Sequence, residues 1–410
     1  MRVFQGVTGQ AGQPWTLAEG LRQIGVEADS WSVAEHKFAY AAHRHLDLPR
    51  GTSIDEAYRR IAPLIAEYDV FHFHARSFLT YWPDLSAPSL QDLMLLRLHG
   101  KKVYFHFRGQ EIRLASAFRE HNPFHYADDE SAYLFSIMPD ASKVLLREAV
   151  TALCDGVFVV DEELQTYAPQ ARVVPRALHA RAWDHVGVSD NAVPVIVHAP
   201  SRRGVKGTRA LLAALDELRA EGVHFELRLV ENLANEEAKA VYRSADIIVD
   251  QLRIGWYGVL AVEAFALGKP VVAYIRDDLW ARHGDRLPVW NANPLTIKER
   301  LRELIGDLPA RRRLAAAARG YFEQVHSAVT IARMLADIYA TETEPRALDG
   351  YVALLQHQAN LAAPYGGRWT PQALVREFMR ITHKHGPLTA LRATGHWLEG
   401  RRSRRRPRGR

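Results

Sequence analysis

"VPVIVHAPSRRGVKGTRALLAALDELRAEG", residues 193–222, restarts a pattern that the chain has already run once. The apolar run to 201 reads as a strand, 202–207 as a glycine-containing turn, and 208–222 as an amphipathic helix stopped by Gly222. Downstream, "HFELRLVE" (224–231), "DIIVDQL" (246–252) and "PVVAYI" (270–275) predict strands. Between them, "NEEAKAVYRSA" and the apolar core of "GWYGVLAVEAFALGKPVV" (255–272) predict helices. Upstream, "RVFQGVT" (2–8), "YDVFHFH" (68–74), "KKVYFHF" (101–107) and "DGVFVV" (155–160) predict strands. "WTLAEGLRQIG" predicts a helix, with Pro14 in its first turn and Gly25 at its stop. Strands alternating with helices predict parallel sheets covered on both faces, and the restart predicts two such α/β domains.

Two domains also suit 410 residues, more than one core usually holds. Their expected limits are 1–178 and 194–340, with a linker near 178–193. Beyond 340 the strand signals stop: "LDGYVALLQHQANLA" and its successors predict a helical appendage over 341–400, followed by a basic tail over 401–410. Two facing domains of this kind set the C-terminal ends of two parallel sheets across one cleft.

Composition describes a globular chain, 48% hydrophobic and 24% charged. The single cysteine, Cys154, excludes an intrachain disulfide and reads as a small buried hydrophobe. No eighteen-residue apolar run exists and "MRVFQGVTGQ" lacks a signal-peptide core, so the expected location is cytoplasmic. The net charge of +6 resides in the tail. "RRSRRRPRGR" carries seven arginines, which leaves residues 1–400 at −1. A neutral body argues against specific nucleic-acid binding. The tail suits an anionic membrane surface or nonspecific polyanion contact, or is simply a solvated end.

Glu263 is the odd residue of its segment. In a helix starting near Val259, its neighbours three and four residues away are Val259, Leu260, Ala266 and Leu267, all apolar. A carboxylate on that face needs hydrogen-bond donors. A backbone N–H or an arginine would serve, and so would a vicinal diol, which gives two parallel hydrogen bonds to one carboxylate. Gly255 and Gly258 favour the ligand, because glycines ahead of a helix let backbone N–H groups approach a phosphate or sugar. The turn "HAPSRRGVKGT" (198–208) bunches Arg202, Arg203 and Lys206 ahead of a helix N-terminus at Thr208, a place suited to a diphosphate. A diphosphate site and a diol site in one domain describe a nucleotide diphosphate.

"HAPSRRGVKGT" together with "ADIIVDQLRIGWYGVLAVEAFALGKPVVAYI" resembles the donor-binding domain of GT-B glycosyltransferases, in particular the retaining group called glycosyltransferase family 4. The resemblance covers residues 194–276 well. It extends more loosely through "YDVFHFH", "HFRGQEIR" and "GQAGQPW", and leaves out the appendage and tail. It implies two Rossmann-like domains facing a cleft, and metal-independent transfer of a sugar from a nucleotide diphosphate donor to a glycan, lipid-linked or small-molecule acceptor. No cofactor is implied beyond that substrate. The family pattern matches the donor diphosphate best to Arg202 and Lys206, with Arg203 as the substitute, and the ribose to Glu263; Gly207 and the backbone of Trp256, Tyr257 and Gly258 complete the donor-binding candidates.

Two departures stand out. The family usually carries a glutamate eight residues before the ribose carboxylate, where this chain has Gly255. It often carries His-Gly-x-Asp after a strand of the first domain, where this chain reads Arg108-Gly109-Gln110-Glu111. Arg108 and Glu111, with His106 beside them, are therefore the catalytic candidates, and Gly12, Gln13, His72 and His74 the acceptor-side candidates. His106 and Arg108, like His72 and His74, lie two apart on strands and share a face. Such a cluster suits acceptor binding or the leaving phosphate. Zinc is a rival that wants three ordered ligands, and packed, hydrogen-bonded histidine is the plainest alternative. The acids of "ADDE" (127–130) and "RDD" (276–278) read as exposed loop residues, and no metal is expected. A non-catalytic scaffold on the same architecture is the alternative to an enzyme.

Overall fold

The computed structural model describes residues 1–341 other than 9, 34–39, 49–51, 53, 81–89, 137, 190 and 234. The expected appendage, beyond its first residue, and the tail lie outside the described residues. The first sheet contains β1 (Arg2–Val7), β2 (Glu27–Ser32), β3 (Arg44–His45), β4 (Val70–His74), β5 (Lys102–Phe107), β6 (Gly156–Val159) and β7 (Arg172–Val173), in the order 3-2-1-4-5-6-7. The second contains β8 (Val195–His198), β9 (Glu226–Leu229), β10 (Ile247–Val249), β11 (Val271–Ala273) and β12 (Val289–Asn291), in the order 12-11-10-8-9. Every pairing in both sheets is parallel.

These are the two α/β domains that the periodicity predicts. Central strands such as "VFHFH" and "IIV" are buried along their whole length, as expected when helices cover both faces. Each sheet accordingly has an apolar core on either side.

The chain crosses between domains twice. Leu178 leaves the first domain beside the returning chain, its N–H donating to the His326 carbonyl at 2.8 Å and its own carbonyl accepting from Ala328 at 3.0 Å. The helix Ala328–Ala340 then packs on the first domain, burying Ile331, Ala332, Leu335 and Tyr339 completely. Each large side chain so buried contributes roughly 1.5–3 kcal/mol. The first domain therefore takes its last helix from the far end of the described chain. No helix among the described residues is long and apolar enough to cross a membrane.

Candidate functional site

Strand order reverses between β8 and β10, and in open α/β sheets ligands bind beyond the C-terminal ends of the strands at such a reversal. The loops after these two strands are joined by a buried ion pair. Lys206 Nζ donates to Asp250 Oδ1 at 2.7 Å and to Gln251 Oε1 at 2.8 Å, while the other oxygen of fully buried Asp250 accepts from the Gly258 N–H. A Cβ on Gly258 would lie 2.9 Å from Asp250 Oδ2 and 3.1 Å from Lys206 Nζ, so a larger residue would push the paired side chains apart. Beneath them His198 bonds the Val249 carbonyl and the Thr208 hydroxyl, both at 2.8 Å. Burial pushes this imidazole down to about 4, so it is neutral and donates to Val249 while accepting from Thr208.

Glu263 lies on the helix Val259–Leu267, whose other residues are, apart from Val259, all buried and apolar. Its side chain keeps some exposed surface, and among the described residues it forms no hydrogen bond or ion pair. Burial pushes its carboxyl up to about 8, the Asp250 carboxylate adds to this, and Lys206 and Lys239 oppose it. Tyr40, from the first domain, approaches the same carboxyl closely enough for it to raise the phenol, after burial, and the Tyr40 ring also sits 3.6 Å from where a Cβ on Gly12 would be.

The remaining donor-side candidates separate. Arg202 is exposed and without an ion pair among the described residues. Arg203 is exposed too, but is held outward by both oxygens of Glu231. Gly207 adopts φ 77° where the short turn enters the helix Thr208–Ala220. The rings of Trp256 and Tyr257 are buried and stacked on each other, and Tyr257 Oη reaches Tyr321 and His326 at 3.0 and 2.9 Å, so this pair can face the cleft only through its backbone. Gly255 has φ 98°, and a Cβ there would come within 3.2 Å of Arg276 Cβ, so a glutamate in this conformation would be strained.

On the first domain two candidates are committed to backbone. Gln13 bonds both the N–H and the carbonyl of Ala177 at 2.8 Å. Glu111 accepts from the Arg108 and Gly109 N–H groups and so holds the turn after β5. The three histidines, by contrast, converge. His72, His74 and His106 are completely buried with nearly parallel rings 4.5–5.7 Å apart. Burial, then the Arg108 charge, holds all three well below the usual imidazole range.

A directed hydrogen-bond chain runs through them. An Arg108 guanidinium N–H can only donate, so His74 Nδ1 accepts from it and His74 Nε2–H donates to Gln5 Oε1 at 2.7 Å. Gln5 Nε2 donates to Tyr339 Oη at 3.1 Å, which leaves the Tyr339 proton for His72 Nδ1 at 2.6 Å. His72 is thereby the Nε2–H tautomer, and that N–H has no partner. Neither ring nitrogen of His106 has a partner in bonding geometry, although the Val174 backbone is near enough to favour its charged form slightly. Arg108 Nε and Nη1 are likewise buried and unpartnered. Burial pushes Arg108 down to about 9, nearby Arg176 adds to this, and Glu111 and Tyr339 oppose it. Arg176 itself pairs with Asp161 at 2.9 Å.

The domains meet through residues that sequence reasoning missed. Arg253 donates to the carbonyls of Phe124 and Gly204 at 3.0 and 2.9 Å and to that of His125, and pairs with Asp129. Asn122 Nδ2 donates back to the carbonyls of Arg253 and Ile254 at 2.9 and 3.1 Å. Asp250 and Gln251 had one sequence signal, a polar pair at the C-terminal end of an apolar strand, where α/β sites lie. Nothing local to "RIGW" marks Arg253 as a tie between domains.

No protein-family model matches the chain, and no curated protein matches it. Solved structures do. Sucrose-phosphate synthase from Thermosynechococcus elongatus is 15% identical, with 83% of this chain and 98% of that chain covered and a TM-score of 0.53. A glycosyltransferase from Rickettsia africae is 14% identical over 82% and 97%, with a TM-score of 0.54. Anabaena HepE, solved with UDP and glucose, is 13% identical over 83% and 100%, with a TM-score of 0.52. At these identities the likeness is one of fold: two parallel-sheet α/β domains in the GT-B arrangement.

Proposed function

We propose that this chain is a retaining glycosyltransferase that moves a sugar from a nucleotide diphosphate donor to an acceptor. The observation that carries the reading is Glu263, a carboxyl without donors at the strand reversal of the second sheet, beside the joined Lys206, Asp250 and Gly258. A ribose diol supplies the two missing donors and favours the ionised carboxylate. HepE, similar in fold, was solved with UDP and glucose, which supports a nucleotide-sugar donor.

As the sugar–oxygen bond breaks, negative charge grows on the leaving diphosphate. Arg202, Lys206 and the N-terminus of the helix Thr208–Ala220 stabilise that charge without a metal. The Lys206 ammonium, held by Asp250, is preoriented and shares its third proton with the phosphate. Gly255 has no carboxylate, so double displacement through that position is not available. Retention then follows from front-face attack, with the acceptor entering on the side from which the diphosphate leaves. The Arg253 and Asn122 ties hold the domains together around the reactants and keep water out.

Thermal shift against UDP, GDP and ADP and their sugars, followed by NMR of the product's anomeric centre, tests this reading. Expected are stabilisation by one nucleotide class, its loss in Glu263→Ala, and a product with the donor's anomeric configuration. No stabilisation by any nucleotide, or equal stabilisation of the variant, overturns it. Gly255 also favours a second reading, a non-catalytic nucleotide-binding scaffold, which nucleotide binding without turnover towards any acceptor would support.

A further inference from the structure

The first-domain end of the cleft holds a cluster of hydrogen-bond donors with nothing to donate to. We infer that His72, His106 and Arg108 form an oxyanion subsite that receives a phosphate or carboxylate group of the acceptor. The inference rests on the glycosyltransferase reading only for the word acceptor; the subsite itself stands on the hydrogen-bond chain.

Each element of the cluster selects an anion. The chain from Arg108 through His74, Gln5 and Tyr339 ends on His72 Nε2 as an unpartnered N–H. Arg108 Nε and Nη1 are donors in every state, and Gln110 Nε2, two residues on, is a further buried donor without a partner. His106, stacked against His72 and His74, adds a donor when its proton sits on the nitrogen turned away from the Val174 backbone. Buried donors left unmet oppose folding, charged ones most, and no carboxylate of the described residues bonds the Arg108 side chain.

A divalent cation fits poorly in the same place, although the three imidazoles are close enough to suggest one, with ligand atoms within 4.8 Å of one another. Metal binding needs one free lone pair per ring. His74 has none, because Nδ1 accepts from Arg108 and Nε2 carries the proton given to Gln5. His72 keeps none while Tyr339 donates to it. A cation would also lie beside the Arg108 guanidinium, with Arg176 close behind.

Position gives the anion its source. Arg108 follows the last residue of β5, at the C-terminal edge where the cleft opens, and unlike the three histidines it keeps some exposed surface. The donor diphosphate has its own cations on the second domain, Arg202 and Lys206. The group facing Arg108 therefore belongs to the other substrate.

The test titrates inorganic phosphate into the full chain, with ¹⁵N-labelled histidine observed by NMR, alone and with saturating UDP or GDP. Expected are shifts of the His72 and His106 ring nitrogens that persist with nucleotide present, about tenfold weaker phosphate binding in Arg108→Gln, and partial recovery in Arg108→Lys. In turnover assays, a hexose 6-phosphate or a uronate should outcompete the parent hexose, and which of the two wins identifies the anion. Overturning results are no histidine shift with phosphate, displacement of phosphate by the nucleotide, or stoichiometric Zn²⁺ uptake with coordination shifts on all three rings. If Arg108→Gln does not fold, the wild-type histidine shifts and the lysine variant still decide. If no nucleotide binds at all, the donor reading fails while the phosphate titration still reports on the subsite.

Discussion

The two ends of the cleft are unsatisfied in opposite senses. On the second domain, Glu263 is an acceptor without donors, its carboxyl raised to about 8 by burial and by Asp250. On the first, His72 Nε2–H and Arg108 Nε–H and Nη1–H are donors without acceptors. Folding alone would select against the unmet donors of the first domain, since each buried polar group without a partner costs about 1–3 kcal/mol, and against a carboxylate in the apolar surroundings of Glu263. Their opposite needs are what the proposed ribose and acceptor anion would meet, and they let the chain be tested one end at a time.

The largest effect should come from the pair that builds the donor side. Asp250→Ala leaves the Lys206 ammonium buried without its counter-charge and frees the Gly258 loop, with an expected loss of about 3–5 kcal/mol in chemical denaturation. A loss below 1 kcal/mol would mean that the two loops are held by other contacts. Next, Glu263→Ala should weaken nucleotide binding roughly 10- to 100-fold by calorimetry, with 2′-deoxynucleotides insensitive to the change. If ribo- and deoxynucleotides lose equally, the diol assignment is broken.

A pH series sharpens the same residue. The folded pKa of Glu263 lies above its ordinary value of 4.5, so its contribution to stability is fully present below about 4.5 and is lost as pH rises through about 8. Glu263→Gln should therefore gain on wild type in denaturation midpoint between pH 5 and pH 9, and wild-type binding of ribonucleotides should strengthen over the same interval. A gap that is flat with pH would place the carboxyl in ordinary solvent. Arg253→Ala should leave the denaturation midpoint little changed but open the domains, seen as a larger radius of gyration by X-ray scattering and a several-fold drop in turnover. The smallest effect belongs to Arg203→Ala. Its exposed pair with Glu231 is screened by solvent, so neither the denaturation midpoint nor nucleotide affinity should move measurably.

How much of this was legible depended on where the chemistry sat along the chain. The central strands announced themselves because both faces are covered and they read as unbroken apolar runs. β2, "EADSWS", did not, because its buried Asp29, Ser30 and Ser32 are polar. Asp29 is satisfied from elsewhere, by the Tyr68 hydroxyl at 2.8 Å and by Arg22. Glu263 was visible as a charge on an apolar helix face. Trp256 and Tyr257 were visible as a motif, but their rings turn into the core, which no local pattern separates from facing a ligand. The paired spacing of the histidines showed that each pair shares a face. That Gln5 and Tyr339, 334 residues apart, join them into one directed chain is a tertiary fact.

The helix Ala328–Ala340 carries a consequence for how the protein is made. The ribosome has delivered every strand of the first sheet by Val173, yet the sheet's partner helix, and with it the tyrosine that orients His72, emerges only about 170 residues later. At bacterial or eukaryotic elongation rates that is a delay of roughly 10–30 s. Through that interval the apolar patch formed by Val3, Leu17, Val70 and Phe158 lacks the part of its cover that Ile331, Leu335 and Tyr339 supply, while the second domain is still being synthesised. The N-terminal half thus matures last rather than first, and the hydrogen-bond chain through His72 and His74 closes only after the loops around Lys206, Asp250 and Glu263 have been made.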